Sequence, residues 1–206
     1  MNGKFIVIEG LDGSGKTTQL TALAQNLRAL GYAVAETAEP TASTTGGLAR
    51  DALSGFTPRT GAEIAALFMA DRVAHNVNPI NGIGKLLSEG RVVLCDRYYY
   101  SSLAYQGTVT DPEWVFRINI DCPEIRKPDL CVFLDLDDEE CLRRMEQGRS
   151  YREIYEYENS LLAVRRRYYE IFRRLEHRDR ICIVNAARTP EEVAADVLSA
   201  VKSVLD

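Results

Sequence analysis

The stretch from Lys4 to Thr18 constrains this chain more than any other. Phe5, Ile6, Val7 and Ile8 form a continuous apolar run of strand length, mostly β-branched, which reads as a strand buried on both faces. Gly10-Leu11-Asp12-Gly13-Ser14-Gly15-Lys16-Thr17 follows at once and spells G-x-x-x-x-G-K-T, a phosphate-binding loop, with Thr18 directly behind it. Glycines let many backbone N–H groups close around a triphosphate, and the next helix turns its positive end toward the anion. Lys16 supplies a point charge for the outer phosphates, and the Thr17 hydroxyl suits a magnesium ion. Leu20, Leu23, Leu27 and Leu30 then recur on one helical face, and Gly31 ends the helix.

A length of 206 residues suits one domain with a sizeable core, so residues 1–206 are expected to form a single unit. A net charge of −5 argues against nucleic acid as a partner. No apolar run approaches a membrane span and the chain enters a core strand at once, so a cytoplasmic protein without a membrane partner is expected. The five cysteines are scattered, form no C-x-x-C pair, and read as reduced core residues.

Further along, Tyr32 to Ala35, Arg91 to Cys95, Leu130 to Leu134 and Ile181 to Val184 read as strands, each separated from the next by helical patterns. Five buried runs alternating with helices predict an α/β fold: a five-stranded parallel sheet covered by helices on both faces, in three layers. Thr60 is expected to cap a helix whose core face is Ile64, Leu67, Phe68, Val73 and Val77. Asp111-Pro112 starts another, with Trp114 and Ile118 on its apolar side. A short helix from Asp137 breaks at Gly148, and the next carries an apolar stripe from Tyr157 to Leu175. Thr189 caps a last amphipathic helix through Val193, Val197, Val201 and Val204.

Candidate site residues cluster after the strands. Asp96 and Arg97 stand at the carboxyl end of the third strand, where an acid helps to hold magnesium or its waters and an arginine takes a phosphate bidentately. Phe68 and Arg72 share a helix side: either a ring and a guanidinium for a nucleobase, or a core Phe with a surface Arg. Tyr98 to Gly107 is dense in hydroxyls and amides that can read a nucleoside, although aromatic runs also serve packing. Arg50 is either a solvated charge or an anion contact.

These segments together resemble the thymidylate kinase family over nearly the whole chain. The resemblance rests on Phe5 to Thr18, Glu39-Pro40-Thr41, Phe68 to Arg72, Asp96-Arg97-Tyr98 through Ala104-Tyr105-Gln106-Gly107, and Pro128-Asp129-Leu130 into Leu134-Asp135. It implies a P-loop NTPase fold and phosphorylation of dTMP to dTDP with ATP and Mg2+, on the way to dTTP. It further implies that Gly10 to Thr18 bind ATP, that Thr17 and Asp96 serve the metal, and that Asp12 lies near the dTMP sugar and phosphate. Arg97 would hold the dTMP phosphate, Phe68 would stack on thymine and Arg72 would bond its edge. Tyr105 would crowd the 2′ position, and Ser102 and Gln106 would touch base or sugar. The phosphate loop holds no arginine, so the resemblance puts the catalytic ones, Arg149 and Arg152, in a short lid at about residues 147–155, a compact form similar to archaeal members. Relatives are typically homodimers, and the helices around Phe68 and Trp114 would supply such a face. Rival readings are a kinase for another nucleoside monophosphate or a deoxynucleoside, and an ATP-dependent switch or binding module without an acceptor.

Overall fold

The computed structural model describes residues 3–55, 57–145 and 151–205, with side chains left out of account at 138, 142, 144, 145 and 151–160. In chain order these are β1 (Lys4–Gly10), α1 (Lys16–Ala29), β2 (Val34–Ala38), α2 (Thr44–Leu53), α3 (Gly61–Val77), α4 (Ile83–Ser88) and β3 (Val92–Asp96). Then come α5 (Tyr99–Tyr105), α6 (Pro112–Ile120), β4 (Leu130–Asp135), α7 (Asp138–Met145), α8 (Tyr151–Leu175), β5 (Ile181–Asn185) and α9 (Pro190–Leu205).

The five strands form one parallel sheet in the order β2-β3-β1-β4-β5. Helices α1 and α9 pack on one face; α4, α5 and α8 lie on the other. The apolar run Phe5 to Ile8 is fully buried in the central strand, as a strand covered on both faces requires. The two edge strands are less covered: Ile183 on β5 is 47% exposed and β2 alternates inward Val34 with more open positions.

β2 begins later than the sequence suggests. Gly31 takes a left-handed φ of 89°, its N–H bonds to Arg28 and that of Tyr32 bonds back to Leu27, so Tyr32 belongs to the helix-ending turn and not to the strand. The same turn leaves Leu30 half exposed, off the buried face of α1. Helix α4, without a long apolar pattern, had no counterpart in the sequence reading.

Register decides what emerges at the carboxyl edge of the sheet. Ala38 pairs with Asp96, and Asp96 pairs with Ile8, so these residues lie abreast on β2, β3 and β1. The Glu39 amide bonds to the Asp96 carbonyl and the Arg97 amide to the Ile8 carbonyl, each at 3.0 Å. Glu39, Arg97 and Glu9 therefore leave the sheet side by side. Beyond β3 the chain crosses to the other side of β1, and crevices at such reversals are where open α/β sheets bind ligands.

Candidate active site

The loop between β1 and α1 is held open by two glycines. A side chain at Gly10 would meet the Leu134 carbonyl at 2.9 Å, and Gly15 adopts φ 92° as the N-cap of α1, a conformation that L side chains rarely take. That N-cap makes no side-chain hydrogen bond, so the first amides of α1 remain for an anion. Lys16 is buried and its Nζ donates to the Leu11 carbonyl at 2.8 Å and the Gly10 carbonyl at 3.1 Å. Burial, reinforced by the positive charge of Arg97, lowers its pKa from 10.5 to about 8. Asp12 lies 3.9 Å away and acts the other way.

Opposite the loop stands Arg97, with a left-handed φ of 66°. Its guanidinium bonds to Asp12, donates to the Ser101 hydroxyl at 2.9 Å, and lies 5.3 Å from the centre of the Tyr105 ring. Asp12, Gly13, Gly15, Lys16, Thr17, Thr18, Asp96 and Arg97 line one cleft of about 450 Å3. Within it Asp96 Oδ1 is buried without a hydrogen-bond partner among the described residues, an oxygen donor on the same wall as the Thr17 hydroxyl. A second cleft of about 250 Å3 adjoins the other side of the loop, between Gly13, Ser14 and Gly15 and the segment Ala186, Arg188, Pro190 after β5.

Helix α3 corrects the sequence reading. Thr60 caps it through a reciprocal box with Glu63, but its buried face is Ala65, Asp71, Arg72, His75 and Asn76, while Val77 is 54% exposed. The surface alternative for Arg72 therefore fails. Arg72 Nε donates to Glu39 Oε2 at 2.7 Å, Nη2 to Ser102 Oγ at 3.1 Å, and Nη1 to Asn119 Oδ1. Glu39 Oε1 accepts from His75 Nδ1 at 2.9 Å, and His75 Nε2 lies 2.8 Å from the Thr37 hydroxyl. Asp71 accepts from the Thr41 amide and from the hydroxyls of Thr41, Ser43 and Thr45, which ties down the loop after Pro40. A polar ladder rather than an apolar stripe thus docks α3, because α3 faces the carboxyl edge of the sheet and not its middle. On α6, likewise, the buried residues are Val115 and Asn119, with Trp114 only partly buried and Ile118 outside the core.

The family model for thymidylate kinase matches residues 8–197. A probable thymidylate kinase of Pyrococcus horikoshii is 40% identical over the whole chain and 98% of its own length. A thymidylate kinase of Pelotomaculum thermopropionicum is 38% identical over the whole chain and 96% of its own, and a putative one of Treponema pallidum 36% identical over 84% and 81%. The chain belongs to the thymidylate kinase family.

The residues for which the resemblance implies acceptor-side roles fall into two groups. Asp12, Ser101 and Tyr105 gather around the Arg97 guanidinium. Phe68 is partly buried one turn before Arg72, and Ser102 is buried against Arg72. Gln106 is buried with its Oε1 unpaired among the described residues. Arg50 donates to the Pro40 and Thr41 carbonyls and so braces the neighbouring loop. Arg149 lies outside the described residues; Arg152 lies in the first turn of α8 with its side chain outside the description, so the lid at 147–155 is described only in the backbone of its second half. Sequence reasoning gave no role to Asp71 or Asn119, nor to Glu9 and Glu39, although both glutamates stand in segments that carry the resemblance. A charged residue closing a buried apolar run, as Glu9 does, was a signal available, since a buried carboxylate demands partners.

Proposed function

We propose that this chain is a thymidylate kinase that transfers the γ-phosphoryl group of Mg-ATP to the 5′-phosphate of dTMP, giving dTDP and ADP. The observation that carries the reading is that Lys16 and Arg97, cations of two different strand ends, face one cleft. That arrangement serves two phosphorylated substrates, whereas a nucleoside acceptor has no phosphate for Arg97 to hold and a switch would need no second cation.

The loop amides and the amino end of α1 bind the triphosphate, and Lys16 takes its outer oxygens once it gives up the carbonyls of Gly10 and Leu11. The cleft between the loop and Ala186, Arg188 and Pro190 accommodates the adenine end. The Asp96 Oδ1, without a hydrogen-bond partner among the described residues, and the Thr17 hydroxyl would hold magnesium, being hard oxygen donors of the kind it prefers, and the ion would neutralise phosphate charge there. Arg97 holds the acceptor phosphate; Asp12, bonded to it, orients the guanidinium toward the loop. Phe68 stacks on thymine, Arg72 with Ser102 reads its edge, Gln106 stands by for base or sugar, and Tyr105 closes off the 2′ side. Arg149 and Arg152 arrive from the lid to stabilise charge on the transferred group and exclude water, so positioning and electrostatics supply the catalysis.

The single continuous sheet and core support one kinase domain over 1–206. Among the described residues no helix is long and apolar enough to cross a membrane, in keeping with a cytoplasmic enzyme. The resemblance favours a homodimer through the helices around Phe68 and Trp114, which sedimentation at micromolar concentration tests. The function itself is tested by coupled ADP release with Mg-ATP and each nucleoside monophosphate, with thymidine as control. Turnover led by dTMP is expected; turnover with thymidine alone, or without an acceptor, overturns the reading.

A further inference from the structure

Glu9 is a fully buried carboxyl at the end of the central strand, and it belongs to no part of the phosphate loop pattern. Four donors converge on it. Its Oε1 accepts from the Tyr98 amide at 2.8 Å and the Ser101 amide at 3.1 Å. Its Oε2 accepts from the Ser101 hydroxyl at 2.7 Å and the Tyr168 hydroxyl at 2.9 Å. Burial pushes the carboxyl above its usual range, while Arg97 and these donors pull the other way.

The donors are not a random set. Tyr98 is the N-cap of α5 and makes no side-chain cap of its own, so Glu9, from another strand, satisfies the amides that open this helix. The residue immediately before that cap is Arg97. A left-handed φ on a side chain of this size persists only where its surroundings over-determine it. Its own amide is fixed by Ile8 and the next amide by Glu9, so β1 grips the turn from both sides. The other end of Arg97 returns to the same carboxylate: Nη1 donates to Ser101 Oγ, whose hydroxyl donates to Glu9 Oε2.

We propose that Glu9 is a positioning residue for the acceptor phosphate, fixing both the backbone turn and the guanidinium of Arg97. It does this without touching substrate. The proposal rests on the reading that Arg97 holds that phosphate. Four donors aimed at the side chain suit a carboxylate: a glutamine would keep Oε1 for the two amides but turn an NH2 group toward two hydroxyls, which would have to reorient to accept it. One of those, Ser101, already receives the Arg97 N–H, so its acceptor capacity is contested. Tyr168 carries the contact onto α8, the helix whose first turn holds Arg152, so the anchor of Arg97 is also tied to the lid-bearing helix.

The test is steady-state kinetics of the full chain for Glu9→Gln, Ser101→Ala and Arg97→Ala, with dTMP and ATP varied separately, well below each variant's melting temperature. Ser101→Ala breaks the bridge while leaving the carboxylate its backbone partners, and so guards against loss of the fold. The expected result is a KM for dTMP raised roughly tenfold in Glu9→Gln and Ser101→Ala with the KM for ATP within about twofold. Arg97→Ala is expected to raise it further. If Arg97→Ala raises the dTMP KM and the other two leave it unchanged, Glu9 is a structural carboxylate only and the proposal is overturned. An unchanged dTMP KM in Arg97→Ala instead overturns the reading beneath it.

Discussion

Arg72 Nε and Glu39 Oε2 meet at 2.7 Å with both side chains almost sealed from solvent, joining helix α3 to the end of β2. Removing one member of such a pair strands the other as a buried charge, at about 3–5 kcal/mol. In a chain of this size each kcal/mol lowers Tm by roughly 2–4 °C, so Glu39→Ala is expected to lose roughly 6–20 °C. Because Arg72 then keeps only its Ser102 and Asn119 partners, the KM for dTMP should rise as well. Differential scanning calorimetry checks the first effect, and an unchanged Tm would show that the pair adds nothing.

Lys16 makes stability depend on pH in an identifiable window. Below about pH 8 it is a cation in both folded and unfolded chains, and its burial in the ligand-free loop disfavours folding. Between about 8 and 10.5 the folded chain releases the proton that the unfolded chain keeps, so stability contributed by this residue rises with pH. From pH 8, where the folded lysine is already half deprotonated, to pH 9.5 the gain is about 1.5 kcal/mol. Urea unfolding of the wild type and Lys16→Met at both pH values isolates it: only the wild type should gain. Since the triphosphate needs the cation, affinity for Mg-ATP should fall over the same range. Equal pH responses of the two proteins would refute the lysine assignment.

Lys16→Met should also abolish turnover while circular dichroism stays that of the folded protein, because the outer phosphates lose their only loop side-chain cation. Wild-type activity in this variant would remove the phosphate loop from the mechanism.

Arg149→Ala and Arg152→Ala are expected to lower kcat by about a hundredfold or more with dTMP binding little changed, since charge on the transferred group develops only in the transition state. Single-turnover quenched flow separates this from slow product release. A pure KM effect would make both arginines ground-state contacts.

Tyr105 lies under the Arg97 guanidinium, so Tyr105→Ala opens the acceptor side while leaving the loop intact. The ratio of kcat/KM for dTMP to that for the corresponding ribonucleotide should drop by roughly tenfold. A ratio that stays constant would move ribose exclusion to another residue.

Local sequence carried the phosphate loop, the parallel sheet and several helix starts. Each is a local matter: glycine spacing, unbroken apolar runs, and caps such as Thr60, Asp111 and Thr189 are written within a few residues. Val193, Val197, Val201 and Val204 are buried as their spacing requires. Periodicity failed on α3 and α6, where Arg72, Asp71 and Asn119 turn inward in place of Leu67 and Ile118. A helix period tells which residues share a side, but not whether that side meets an apolar sheet face or the polar carboxyl edge. Long-range packing settles it. Strand register set Glu39, Arg97 and Glu9 side by side, from positions far apart in the chain, and a buried charge is stable only beside partners that such long-range contacts supply.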